Sequence, residues 1–207
     1  MKEIFLALSL VTAVPAVFAQ GTVIFANTQT TLVSSGPAGL ALPISGPPGS
    51  YYFGLLIAPV GTLAASQFAF TGVYATNSAV AGRILPSGYS PAVPGWPIAA
   101  MMSFMVAGWS ADLGHDWNQQ WINGNFGGDG YFGLSTIGTG LSGGPSGGVP
   151  IPALSLFGPP GTTWITTGFN LGPVPEPSAA ALLALGIFGL MLRRYAPTGR
   201  PVENESR

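Results

Sequence analysis

Residues 99–110, AAMMSFMVAGWS, form the longest apolar strand candidate in the chain. Apart from Ser103, Gly108 and Ser110, every residue in the stretch is apolar. Continuous hydrophobicity of this kind is typical of a strand that is covered on both faces. A helix is the alternative, because Ala and Met favour helices. We favour the strand and expect it at the centre of a sheet.

Shorter runs of β-branched and aromatic residues, each bounded by Gly or Pro, predict further strands. They are residues 23–26, 51–58, 68–75, 79–85, 131–137 and 163–171. Gly72 predicts a β-bulge inside its run. The Gly/Pro-rich residues 138–152 predict a flexible loop. The pattern as a whole predicts an all-β domain, an antiparallel β-sandwich for which a jelly-roll topology is one option.

The composition limits what such a domain can do. The chain has 207 residues, of which 6% are charged, and no cysteine. Within residues 20–172, the predicted exported domain, the formal charges are Arg83, Asp112, Asp116 and Asp129. The domain therefore has no basic face for nucleic acid, and no disulfide can stabilise it.

Asp112, His115 and Asp116 are the best candidates for chemistry, because they bring two carboxylates and the sole histidine together. A zinc site normally needs three or four ligands, and no Cys or second His is present. Glycoside hydrolysis normally needs two placed carboxylates, and only three acidic residues lie in the domain. We expect no catalytic residue, no metal site and no cofactor. Residues 123–130, NGNFGGDG, contain too few carboxylates for a calcium loop, and Asp129-Gly130 predicts a hairpin turn.

Trp117 and Trp121 lie at i and i+4 in the predicted helical turn 116–121, which Asp116 is expected to cap. Flat indole faces beside the amides of Asn118 and Gln120 could stack on sugar rings and hydrogen-bond their hydroxyls. Packing of the turn onto the sandwich explains the tryptophans equally well. The two interpretations differ in whether two or more indoles are exposed in one plane.

The N-terminus has the parts of a signal peptide. Lys2 gives a modest positive start, residues 4–14 are apolar, and Val17-Phe18-Ala19 fits the cleavage positions. Cleavage is expected after Ala19, with Ala16 as a second option, which makes residues 1–19 the signal peptide. A buried first strand or helix is the alternative.

The C-terminus begins with Val174-Pro175-Glu176-Pro177, continues with the uncharged run 178–192 and ends that run at Arg193 and Arg194. The prolines block helix extension, so Glu176 is expected in an extended peptide. A single transmembrane helix over the run covers about 22 Å, which makes it a weak anchor in a hydrocarbon core of ~30 Å. The arginines favour the cytoplasmic side. A buried core helix is the alternative, and residues 195–207 have the composition of a disordered tail.

This pattern, over residues 173–194, resembles the PEP-CTERM sorting domain of Gram-negative bacteria. The resemblance implies a protein that is exported, held in the inner membrane, processed by an exosortase and associated with extracellular polysaccharide. Residues 21–27, GTVIFAN, and 58–62, APVGT, are also similar to PEP-CTERM proteins of planctomycete or verrucomicrobial type. The leading hypothesis is a non-enzymatic cell-surface or extracellular-matrix protein. A polysaccharide-binding module, or a hydrolase, delivered by the same signal is the alternative.

Overall fold

The computed structural model describes residues 20–86, 88, 90–146, 149–174, 185, 187 and 188, and this part of the chain is mostly β-structure. In chain order the strands are β1 (Gln20–Ile24), β2 (Ser34–Ser35), β3 (Leu42–Pro43), β4 (Tyr51–Ala58), β5 (Ala69–Asn77), β6 (Ile84–Pro86), β7 (Ala92–Pro97), β8 (Met101–Ser110), β9 (Tyr131–Leu134), β10 (Gly138–Leu141), β11 (Gly144–Ser146), β12 (Val149–Ile151), β13 (Leu154–Ser155) and β14 (Asn170–Pro173). Short 3-10 helices are η1 (Ala65–Gln67), η2 (Ala111–Leu113) and η3 (Gln119–Asn123).

The predicted long strand is β8, and it lies at the centre of the largest sheet. The sheet has the order β3-β2-β14-β9-β8-β4-β5-β6, and β10 also pairs with β8. Strands β4 and β8 are antiparallel over their full overlap, from Tyr51 opposite Ser110 to Ala58 opposite Ser103. Residues 103–110 are all buried, as expected for a strand that is covered on both faces. The helix alternative for this stretch is wrong.

The alternation of side chains along β4 and β8 divides the buried residues into two cores. The inner core lies between the large sheet and the three-stranded sheet β13-β1-β7. It includes Val23, Phe25, Phe53, Leu55, Val93, Trp96, Phe104, Val106, Leu156 and Leu171. The outer core lies on the opposite face of the large sheet, under the connection 111–130. It consists of Leu56, Ala58, Phe68, Met105, Ala107, Trp109 and Trp121.

The all-β prediction is confirmed, with a more varied pairing than the predicted antiparallel sandwich. The large sheet is curled, and one short pair in each of the two main sheets departs from the antiparallel pattern. Strand β1 runs parallel to β13, and β14 runs parallel to β2. Both parallel pairs join segments that are distant in sequence, so no hairpin signal announces them.

The predicted bulge at Gly72 is confirmed. Gly54 lies opposite Tyr74, and Leu56 lies opposite Phe70, so Leu55 alone faces three residues of β5. Gly72 has a φ of 81°, a conformation that glycine adopts without steric cost. The Thr71 hydroxyl donates a hydrogen bond of 2.9 Å to the Leu55 carbonyl across the bulge.

The flexible loop predicted over residues 138–152 is wrong. Strand β10 pairs with β8 there, and β11 pairs with β12 in a hairpin. A Cβ on Gly138 would press into the Phe104 ring, and a Cβ on Gly140 would press into Leu154. These glycines serve close packing rather than flexibility.

Three other predicted elements are shorter than expected or of another kind. Within 79–85 only the end belongs to a strand, β6, since residues 78–83 make the turn that pairs Asn77 with Ile84. Residues 163–171 contain only the start of β14. Asp129 and Gly130 form a bend before β9 rather than a hairpin turn, because β8 and β9 are joined by residues 111–130.

Both terminal signals predicted from the sequence fall mostly outside the described residues, including the cleavage position Ala19. Of the apolar C-terminal run, Leu185, Ile187 and Phe188 are described, and they are helical and exposed. Among the described residues, no helix has both the length and the apolar character needed to cross a membrane.

Candidate functional site

Val174 is the last described residue before the predicted motif residues and directly follows strand β14. Strand β14 lies between β9 and β2, and Pro173 is opposite Tyr131. The Val174 amide donates a hydrogen bond of 2.9 Å to the Gly130 carbonyl, and the Val174 side chain is buried. The predicted motif residues Pro175, Glu176, Pro177, Arg193 and Arg194 lie outside the described residues.

A shallow cavity of about 400 Å³ opens beside Val174. It is lined by Asp112, Asp129, Gly130, Tyr131, Pro173 and Val174. Asp112 comes from η2, and Asp129 comes from the bend that precedes β9. Both aspartates are exposed, so the rim of the domain around Val174 carries negative charge.

A cluster of aromatic rings covers the outer face of the large sheet. Trp109 of β8 is fully buried at its centre, with ring centroids 5.5 Å from Trp121 and 5.7 Å from Trp117. Its indole N–H donates a hydrogen bond of 2.9 Å to the Gly114 carbonyl. Phe132 of β9 contacts both Trp117 and Trp121. The connection 111–130 is therefore held onto the sheet by stacked and edge-on rings.

Trp117 and Trp121 meet each other edge to face rather than side by side. Their ring centroids are 5.8 Å apart, and the planes are inclined at 83°. Trp121 is 4% exposed, while Trp117 is half-buried. The two indoles thus share no exposed plane, and packing accounts for Trp121.

The helical turn predicted over 116–121 is displaced and has a different cap. It is the 3-10 helix η3, and its N-cap is Asn118, whose side-chain oxygen accepts a hydrogen bond of 2.9 Å from the Gln120 amide. The capping role predicted for Asp116 is wrong, because the Asp116 carboxylate is hydrogen-bonded to His115 instead. Asn118 and Gln120 are both exposed beside Trp117.

His115 is held by two tyrosines that the sequence analysis did not single out. Its ring centroid lies 4.7 Å from that of Tyr52 and 5.0 Å from that of Tyr74, and its Nδ1 is 2.8 Å from an Asp116 oxygen. Side chains alternate between the two faces along β4 and β5, and this alternation places both tyrosines on the outer face of the large sheet. It is the sequence feature from which their shared location could have been predicted. Asp112 lines the separate cavity beside Val174. Nowhere in the part of the chain that the structure describes do three or more His, Cys, Asp or Glu side chains gather closely enough to hold a metal ion.

Comparison with known proteins identifies the C-terminal segment. Residues 173–194 match the family model described as the PEP-CTERM protein-sorting motif. The match begins inside the folded domain, since it includes Pro173 of β14 and the buried Val174. No curated protein and no solved structure matches the chain.

Proposed function

We propose that this chain, which carries a PEP-CTERM protein-sorting motif at residues 173–194, is a non-enzymatic cell-surface or extracellular-matrix protein. The motif implies exosortase-dependent sorting of an exported protein. The single observation that carries the proposal is that the matched motif begins in the last strand of a packed β-domain, at Pro173 and the buried Val174. In this role the domain is the cargo, and the C-terminal segment is its temporary anchor.

The use of polar side chains supports a structural role over a catalytic one. In the described residues, every buried side-chain nitrogen or oxygen has a hydrogen-bond partner. Buried serine hydroxyls are bonded to the backbone, as in the pairs Ser103 with Gly61, Ser110 with Tyr131, Ser135 with Val106 and Ser142 with Pro97. These hydroxyls stabilise turns and strand ends, so they are not poised as nucleophiles.

The proposal assigns each part of the chain a place during export. Residues 1–19 are a signal peptide, and the β-sandwich that follows is outside the cytoplasmic membrane. Residues 178–192 form one transmembrane helix, with Arg193 and Arg194 on the cytoplasmic side. The exposed helical side chains of Leu185, Ile187 and Phe188 support this arrangement, because lipid would cover them.

Release of the full-length precursor tests the proposal. An extended peptide can pair with an enzyme groove, and the Glu176 carboxylate offers a charge-assisted contact to a basic group. We expect wild type and the control Glu203→Gln to be released from the inner membrane of an exosortase-containing host. Glu176→Gln should accumulate as membrane-bound precursor, and all three proteins should stay bound in a host that lacks the enzyme. Equal release of wild type and Glu176→Gln in both hosts would show that the motif only tethers the protein to the membrane and is not recognised by the exosortase.

Polysaccharide binding is a second candidate function. The observation in its favour is the half-buried Trp117 beside the exposed amides of Asn118 and Gln120. A half-buried indole with two exposed amides beside it can contact a single sugar ring. A glycan array with residues 20–174 tests this candidate. It predicts binding that is lost in Trp117→Ala and kept in Trp164→Ala, whose half-buried indole packs against the inner core.

A further inference from the structure

Arg83, the one formal positive charge within residues 20–172, lines an open cavity of about 460 Å³. The cavity lies between the turn that joins β5 to β6 and the segment that follows β1. Arg83 is half-buried, and its side chain has no hydrogen bond or ion pair with another described residue. None of the domain's carboxylates, on Asp112, Asp116 and Asp129, lines the cavity. A permanent cation that is partly withdrawn from water without a counter-charge indicates a place for an anion.

The rest of this cavity is mostly apolar. Apart from Arg83, Gln29 and Ser78, every residue that lines it is apolar. Two of these residues remain open to solvent, since Val80 is 64% exposed and Leu85 is 48% exposed. Apolar walls with a few polar groups, around a volume of several hundred Å³, are typical of sites for small molecules. The charge of Arg83 and the apolar walls therefore describe two parts of one ligand.

The two walls of the cavity are fixed to each other by Asn27, which is buried. Its side-chain amide donates hydrogen bonds of 2.8 Å to the carbonyls of Thr31 and Gly82, and its oxygen accepts one of 2.8 Å from the Ile84 amide. The turn also packs directly on the segment after β1, because a Cβ on Gly82 would lie 2.9 Å from that of Leu32. The cavity is therefore formed before a ligand binds, and binding carries little ordering cost.

We propose that this cavity binds a small monocarboxylate with an apolar body, with the carboxylate at Arg83 and the apolar part against Val80 and Leu85. The planar guanidinium matches a carboxylate with two parallel hydrogen bonds. One cation balances one negative charge, which favours a carboxylate over a phosphate that carries nearly two. A sugar acid fits less well, because apolar walls cannot replace the water that its hydroxyls would lose. The site goes beyond the proposed function and does not depend on the sorting motif.

Calorimetric titration of the full-length chain in nanodiscs of zwitterionic lipid tests the site, with empty nanodiscs as the blank. The probe is cyclohexanecarboxylate, and three related compounds each change one part of it. Its carboxamide removes only the charge, acetate removes the apolar body, and glucuronate replaces that body with a hydroxylated ring. We expect saturable binding of the probe, and binding of each related compound that is weaker by about tenfold or more.

Substitutions locate the binding in the cavity. Arg83→Gln should bind the probe about tenfold or more weakly, because a charge-assisted contact is lost. Val80→Ser should bind it a few-fold more weakly, because apolar surface is lost. Its matched control is Val60→Ser, since Val60 is 56% exposed but does not line the cavity, and this variant should bind like wild type. An unchanged midpoint of urea unfolding verifies that each variant is folded.

Several results would overturn the site. They are no saturable binding of the probe above the blank, equal binding of the acid and its carboxamide, and wild-type affinity in a folded Arg83→Gln protein. Binding of acetate as tight as that of the probe would show that the apolar walls are not used, and tighter binding of glucuronate would show that the ligand is a sugar acid. Either result would exclude an apolar carboxylate as the ligand. Release of the precursor is a separate measurement, so failure of the proposed function would leave the result of the titration unchanged.

Discussion

Substitution of Gly133 by alanine should loosen the attachment of the last strand, β14, to the rest of the sheet. Gly133 is in β9, opposite Gly108 of β8. A Cβ at this position would overlap the carbonyl oxygen of Asn170 and would lie 3.1 Å from the Leu171 Cα. Both are backbone atoms of β14, so no side-chain rotation can relieve the overlap.

The expected loss follows from the contacts that must move. Overpacking costs about 1–3 kcal/mol where the surroundings cannot yield. Moving β14 away from β9 also weakens the pairing of Gly172 with Phe132 and the hydrogen bond from Val174 to Gly130, each worth ~0.5–1.5 kcal/mol. Together these effects should lower the free energy of unfolding by about 3 kcal/mol. For a domain of this size, that is a decrease in Tm of roughly 6–12 °C.

Gly172→Ala is the matched control, because it makes the same change in the partner strand. The nearest atom to a Cβ there is the Phe132 carbonyl oxygen, 4.0 Å away. We expect no loss, or a gain of up to ~0.5–1 kcal/mol from the reduced backbone freedom of the unfolded chain. Urea unfolding of residues 20–174, followed by the fluorescence of the buried tryptophans, measures both variants. A Gly133→Ala protein within 0.5 kcal/mol of wild type (~0.5 is the usual scatter for harmless changes) would refute the packing argument.

Three further substitutions probe the cores and the exposed histidine. Asn77→Ala should cost about 2–4 kcal/mol, because the buried Asn77 amide accepts hydrogen bonds from the Gly49 and Tyr51 amides and donates to two carbonyls of the adjoining loop; an unchanged urea midpoint would contradict this. Trp109→Ala should cost ~3–5 kcal/mol and release the connection 111–130 to proteolysis, and a protected connection would show that the rings do not hold it. His115→Ala should keep the fold and any activity of the exported protein, since its contacts are peripheral; a folded variant that loses metal affinity or a hydrolytic rate would disprove this.

The central strands could be predicted because their sequences are dominated by one strong signal. Residues 51–58 are β4 with the predicted bounds, and residues 99–110 contain β8. Uninterrupted apolar character over such lengths leaves few other ways to bury the side chains. The bulge at Gly72 was predictable for a related reason, since a glycine inside a strand pattern usually marks an irregularity.

The short strands could not be predicted, because whether these segments form strands depends on the segments they pair with and not on their own residues. Strands β10 to β12 are rich in Gly, Ser and Pro, which locally favour loops. Strand β10 forms because it pairs with the Met101 end of β8 and because Gly138 permits close approach to the Phe104 ring, whereas β11 and β12 pair with each other. Tertiary contacts of this kind have no counterpart in a local sequence pattern.

The candidate site was predicted in part. Residue types around Trp117 indicated a packed helical turn, and the structure places Trp117 and Trp121 against the same aromatic cluster. The choice of cap failed because Asp116 and Asn118 are both good N-cap residues, and their ranking depends on competing partners. The contact of Asp116 with His115 removes one of the two candidates, and the histidine itself packs against Tyr52 and Tyr74.

The placement of β14 connects the fold to the sorting motif. Its four residues include a glycine and a proline, so the strand has little propensity of its own. It is antiparallel to β9 on one side and parallel to β2 on the other, which places it inside the sheet rather than at an edge. Tension on the C-terminal end of β14 therefore acts on two strand pairs at once, and both pairs must separate before this end of the domain unfolds. Val174 is held at the end of this strand by its hydrogen bond to Gly130, so the matched segment begins within the packed domain.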